Sequence, residues 1–154
     1  MFAAILLVSS FMTGTLAQGQ AKQIRGVSDP IYHLYLQADA ADPTIAILGP
    51  EASADSFFIT ETIQSSTTGM YLNIEPNDSA SYKKLVFGAE GTTTAWGLEG
   101  DTIITTTGSE YGRQLNYVAC EAADGAFTLY LQTGSDLPEG ACTNYLTIHL
   151  PCLC

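Results

Sequence analysis

From residue 31 to residue 150 the chain alternates apolar and polar residues in short runs, and each run stops at Gly, Pro, Asp, Asn or Ser. A period of two over four to eight residues marks a half-buried β-strand. In IYHLYLQA (31–38), Tyr32, Leu34 and Leu36 fall on one face and Ile31, His33, Tyr35 and Gln37 on the other. TIAILGP follows as a short strand ending at Gly49 and Pro50. FFITETI (57–63) sets Phe57, Ile59, Glu61 and Ile63 against Phe58, Thr60 and Thr62, and MYLNIE (70–75) sets Met70, Leu72 and Ile74 against Tyr71, Asn73 and Glu75. YKKLVFGA (82–89), QLNYVAC (114–120), AFTLYLQT (126–133) and TNYLTIHL (143–150) continue the series. TAWGLEGDTIITTTG predicts a hairpin in which Trp96 and Leu98 lead into Gly100 and Asp101. Glycine first in a two-residue loop favours a type II′ turn. No segment carries a sustained i, i+3, i+4 stripe with caps. The pattern therefore predicts an all-β fold, an antiparallel sandwich or barrel of about 8–10 short strands. A β-trefoil repeat has no support, since there is one Trp and no defensible period.

The two ends differ from this body. MFAAILLVSSFMTGTLA (1–17) has no charged side chain. Its apolar heart at 2–8 is too short to span a bilayer. Thr15, Leu16 and Ala17 approximate a signal-peptidase site, so 1–17 reads as a signal peptide. QGQAKQIRGVSDP (18–30) is polar and ends at a proline, which predicts a flexible mature N-terminus ahead of a single β domain at 31–154. About 137 residues remain after cleavage, enough for a real core. No later segment approaches a membrane span, so no membrane partner is expected after cleavage.

Charge narrows the partners. Sixteen acidic residues against five basic ones give a net charge of −11. Phosphate-rich surfaces would be repelled, which argues against nucleic acid and anionic membrane. Asn77, Asp78 and Ser79 form an N-glycosylation acceptor in the turn-like EPNDSAS.

Candidate chemistry is sparse. The chain lacks a Gly-x-Ser-x-Gly elbow, a His-Glu-x-x-His helix and a phosphate loop. His33 and His149 lie in the first and last predicted strands, where a histidine most simply points outward or bonds a neighbour. Among the acids, Glu99 and Asp101 flank the hairpin turn, and Asp55, Glu61, Glu75 and Glu90 sit near strand ends, but no carboxylate pair is distinguished. No residue is assigned a catalytic role, and no cofactor is expected. An exposed aromatic face for sugar would draw on Tyr35, Tyr71, Trp96, Tyr111, Tyr117, Tyr130 and Tyr145. The simpler use of these residues is core and cross-strand packing.

Four cysteines allow three complete pairings. Cys120 ends one strand and Cys142 begins another, so a bond between them would close a hairpin-like loop. Cys152 and Cys154 stand two apart in the terminal HLPCLC, where a mutual bond would form a tiny ring. The alternatives pair Cys120 and Cys142 with the tail, or leave the tail pair free or cross-linked between chains. His149, Cys152 and Cys154, with His33, also make a formal metal-ligand set, but a secreted chain passes through an oxidising route where thiols pair. No metal is expected.

WGLEGDTI, then LNYVAC, then FTLYLQTGSDLPEGAC resembles the layout of small secreted proteins of filamentous fungi, the phialide-type cell-wall proteins, over about residues 94–142. The resemblance implies an extracellular, wall-associated, non-enzymatic protein, and it favours Cys120 pairing with Cys142. The reading from sequence is a secreted, acidic, disulfide-containing β domain whose partner is a cell-wall polysaccharide or an extracellular protein. A carbohydrate-binding module using a Tyr/Trp face is the alternative, and a secreted effector a further one.

Overall fold

The computed structural model describes residues 19–152. The fold is all-β, with two single-turn 3₁₀ helices, Glu51–Ser53 and Ala123–Gly125. Thirteen strands form one sheet: β1 (Arg25–Gly26), β2 (Tyr35–Ala38), β3 (Ala46–Gly49), β4 (Phe57–Ile59), β5 (Ile63–Ser65), β6 (Tyr71–Ile74), β7 (Tyr82–Gly88), β8 (Trp96–Glu99), β9 (Thr102–Thr105), β10 (Tyr117–Glu121), β11 (Phe127–Gln132), β12 (Cys142–Leu146) and β13 (Ile148–His149). All paired strands run antiparallel.

The order β4-β5-β6-β7-β11-β3-β2-β1-β13-β9-β8 curls back on itself. One edge of β11 is shared, with Phe127 and Thr128 facing β3 and Tyr130, Leu131 and Gln132 facing β7. Its other edge pairs with β10, which in turn holds β12. At the seam, Lys22 and Phe57 exchange reciprocal backbone bonds of 2.9 and 2.8 Å, laying the chain before β1 against β4. The result is a nearly closed barrel. The seam bonds cover the edge of β4, which would otherwise be open to other strands.

Alternation decides which side chains fill the interior. On β11, Phe127, Leu129 and Leu131 are buried while Thr128 and Tyr130 are half-buried. On β7, Leu85 and Phe87 are buried and Lys84 and Val86 are not. Phe87 stacks on Phe57 at 6.1 Å, joining β7 to β4 across the interior. Ile24, Leu36, Leu48, Ile63, Trp96 and Ile103 belong to the same cluster.

The strands differ from the sequence pattern in four places, each for a local reason. Residues 18–30 were expected to be a flexible tail, yet Ile24 is fully buried and Arg25 pairs with both β2 and β13. The domain therefore begins ahead of residue 31, because the barrel needs this segment to close. The predicted strand 31–38 shortens to β2. Gly26 accepts from His33 N–H and donates to the Leu34 carbonyl, which folds residues 26–34 into a tight turn with His33 at φ 56°. A Cβ on Gly26 would lie 2.3 Å from the Ile31 carbonyl oxygen, so only glycine fits that crossing. The run 57–63 breaks into β4 and β5, with Thr60 N–H bonded to the Thr62 carbonyl at the turn. The last run breaks into β12 and β13, where the β10–β12 register shifts and Tyr145 takes φ 55°. A bulge of this kind re-aims the strand that carries it. These divisions and β1 account for thirteen strands where about 8–10 were expected.

The β8–β9 hairpin forms as predicted. Glu99 pairs with Thr102, leaving Gly100 and Asp101 as the loop, and Gly100 alone of the two has positive φ (63°). Type II′ turns require that combination.

Candidate functional site

The β8–β9 hairpin also brings together two threonine triplets, at 92–94 and 105–107, because Trp96 pairs with Thr105. A cleft of about 280 Å³ opens between the loops that carry them. Inward-facing polar groups hold its first wall. Thr93 Oγ1 accepts from Ile74 N–H at 2.8 Å, Thr93 N–H donates to Asn73 Oδ1 at 3.1 Å, and Asn73 Nδ2 donates to the Glu90 carbonyl at 2.8 Å. Beneath them Trp96 Nε1 donates to the Leu72 carbonyl at 2.9 Å. The second wall is held the same way. Thr105 Oγ1 donates to the Gly112 carbonyl at 2.7 Å, and Ser109 Oγ donates to the Thr106 carbonyl at 2.7 Å. Thr106 N–H bonds the Ala95 carbonyl at 2.8 Å and ties the walls together.

The outward hydroxyls are left unengaged. Thr92, Thr94 and Thr106 line the cleft and are exposed, and their side chains make no hydrogen bond among the described residues. Glu110 and Tyr111 complete the rim. Tyr111 packs against the core, and its phenol is pushed up from the ordinary tyrosine value, first by burial and then by the Glu110 charge. Among the described residues no lysine or arginine lines this cleft.

A second cavity, of about 330 Å³, lies at the barrel seam. Phe57, Phe58, Ile59, Leu98 and Leu150 make it largely apolar, with Lys22 the one basic group among the described residues that line it.

His149 is the centre of a third cluster. Its Nδ1 lies 3.1 Å from Asp101 Oδ1 and 3.3 Å from Thr102 Oγ1, and its Nε2 lies 2.8 Å from Thr147 Oγ1. Hydroxyl, imidazole and carboxylate thus stand in the order of a hydrolytic relay. Asp101, however, is more than half exposed, and neither cavity is lined by any of these residues. The cluster clips the hairpin turn to β13, next to the backbone bond from Leu150 N–H to the Asp101 carbonyl. The hydrogen bond from His149, then its charge, hold the Asp101 carboxyl below the ordinary aspartate range, with Arg25 adding a weaker pull. His149 thus bonds its strand neighbours, while His33 sits in the turn before β2 with its ring stacked on Tyr32 at 4.0 Å.

The sequence-predicted residues scatter rather than converge. Tyr35, Trp96 and Tyr117 are core residues, at 4%, 2% and 0% exposure, and cannot form a ligand face. Tyr117 OH donates to the Ile103 carbonyl, and burial raises its pKa. Tyr71, Tyr111 and Tyr130 are half-buried; Tyr130 meets Tyr82 edge-on at 5.7 Å. Tyr145 alone of the set stands clear, at 63% exposure. Asn77 is half-buried in its turn, and its Oδ1 accepts from Ser79 N–H at 3.1 Å and from Ser79 Oγ at 2.8 Å. Cys120 and Cys142 are register partners on β10 and β12 and form a disulfide. Cys152 is also disulfide-bonded, and Cys154 lies outside the described residues. Among the described residues no three His, Cys, Asp or Glu side chains are placed to hold a metal.

Sequence reasoning missed the cleft. The usable signal was the pair of Thr triplets flanking a predicted hairpin, since hairpin closure must bring its two ends together.

Comparison with protein-family models, with curated proteins and with solved structures finds no match to this chain.

Proposed function

We propose that the chain is a secreted, non-enzymatic extracellular protein that associates with the cell wall. The observation that carries this reading is cysteine oxidation: Cys120–Cys142 is formed, Cys152 is bonded, and no described cysteine is free. Such cysteine use belongs to oxidising compartments. The strong negative charge suits solubility outside the cell and disfavours nucleic acid. A binding role is read ahead of catalysis because the His149 cluster has a structural task, clipping the hairpin turn to β13.

Cell fractionation of the producing organism tests the reading. The protein is expected in the medium and in the insoluble wall fraction, oxidised and lacking residues 1–17. Recovery from cytosol with reduced cysteines contradicts it.

The carbohydrate-binding alternative changes form. A flat Tyr/Trp platform loses its main members to the core, whereas a hydroxyl-lined cleft offers a different route to the same ligand class.

A further inference from the structure

We infer that the cleft between the two threonine triplets is a binding site for a single uncharged sugar ring, the terminal residue of a neutral glycan. The inference deepens the wall-association reading and rests on it only for which glycans the protein meets.

Four observations support it. The hydroxyls divide by role: those of Thr93, Thr105 and Ser109 are engaged in holding the walls, while Thr92, Thr94 and Thr106 line the cleft as exposed residues whose hydroxyls have no partner among the described residues. A hydroxyl both donates and accepts, so a rim of them matches a ring whose own groups do the same. The walls are fixed before any ligand arrives, through the Thr106–Ala95 backbone bond and the Asn73–Thr93 network. Preorganisation lowers the ordering cost of binding. The volume of about 280 Å³ lies just below the range of drug-sized sites, which suits one ring and not an extended chain. Finally, the described residues lining the cleft include the Glu110 carboxylate and no basic group, on a chain of net charge −11. Sulfated, phosphorylated or uronic sugars are repelled, whereas Glu110 can accept from a neutral sugar's hydroxyls. Tyr111 supplies an apolar edge for the ring's C–H groups.

The test is calorimetric titration of the oxidised protein with glucose, N-acetylglucosamine and mannose oligomers, with a sulfated oligosaccharide alongside. Saturable binding of at least one neutral series and none of the sulfated probe is expected. A Thr94→Val plus Thr106→Val variant keeps shape and removes two hydroxyls. It should weaken binding by roughly threefold to tenfold per hydroxyl while the thermal midpoint stays put. No neutral binding at millimolar probe, equal binding of the sulfated probe, or unchanged affinity in the double variant overturns the inference. So does loss of binding in Tyr145→Ser with the cleft variant unaffected. Wall retention is scored separately: a protein retained in the wall that binds no sugar sinks the cleft inference alone, and one that binds sugar but never leaves the cytosol sinks the extracellular reading alone.

Discussion

Two neighbouring faces of the hairpin region use the same residue types to opposite ends. Inside, Asn73, Thr93 and Trp96 direct every polar group at a backbone partner, and all three are buried. Outside, the hydroxyls of Thr92, Thr94 and Thr106 make no such bonds among the described residues and stand in solvent. The inner set satisfies groups that water cannot reach, where an unmet donor or acceptor costs about 1–3 kcal/mol. The outer set contributes little to stability, since water serves each hydroxyl in the folded and unfolded chain alike. Position relative to the hairpin, rather than residue type, separates structure from recognition here.

That contrast predicts a graded series of losses. The largest belongs to Trp96→Ala, which removes a 2%-exposed indole and leaves the Leu72 carbonyl unmet. Chemical denaturation should register a loss of about 3–5 kcal/mol. Next comes the double change Cys120→Ser and Cys142→Ser, which reopens a loop with a sequence separation of 22. The chain-entropy model gives about 3 kcal/mol for it, measurable as a lower denaturation midpoint that reductant no longer moves through this bond. Thr93→Val then strands the buried Ile74 N–H and should cost about 1–3 kcal/mol. Thr94→Val, one residue away and exposed, should stay within about 0.5 kcal/mol. Equal losses at 93 and 94 would dissolve the distinction between the two faces.

The smallest expected effect is electrostatic. The Arg113 hydrogen bond holds the Glu99 carboxyl below its ordinary value, and His149 does the same for Asp101. A depressed folded-state pKa contributes stability that is present above the unfolded value and lost as pH falls through the folded one. The loss therefore falls below about pH 4. Both carboxylates are exposed, so screening keeps the effect slight. Glu99→Gln and Asp101→Asn should flatten the acid limb of a melting-temperature profile while leaving neutral pH nearly unchanged.

Much of the architecture was legible because a period of two leaves few alternatives to strands. The hairpin at Gly100 and Asp101 was the clearest instance, since its turn residues and its flanking pattern agree. The failures share one cause. Tail residues such as Ile24 and Arg25 look like linker by composition, yet a barrel needs something to fill its seam, and only tertiary closure assigns them that task. Likewise Tyr35, Trp96 and Tyr117 carry polar atoms suited to a surface, but each lies on a strand whose inward side the sheet curvature covers. The cleft depends on contacts between loops and leaves no periodic trace. The Cys120–Cys142 bond, which the family resemblance favoured and sequence alone left open, follows in the structure from the β10–β12 register.

The intact mass of the native protein, recovered without reduction from outside the producing cells, tests the central claim most directly. The extracellular account predicts a chain beginning at Gln18 with all four cysteines oxidised, four hydrogens lighter than its reduced form. A full-length chain carrying free thiols and found only within cells would contradict it.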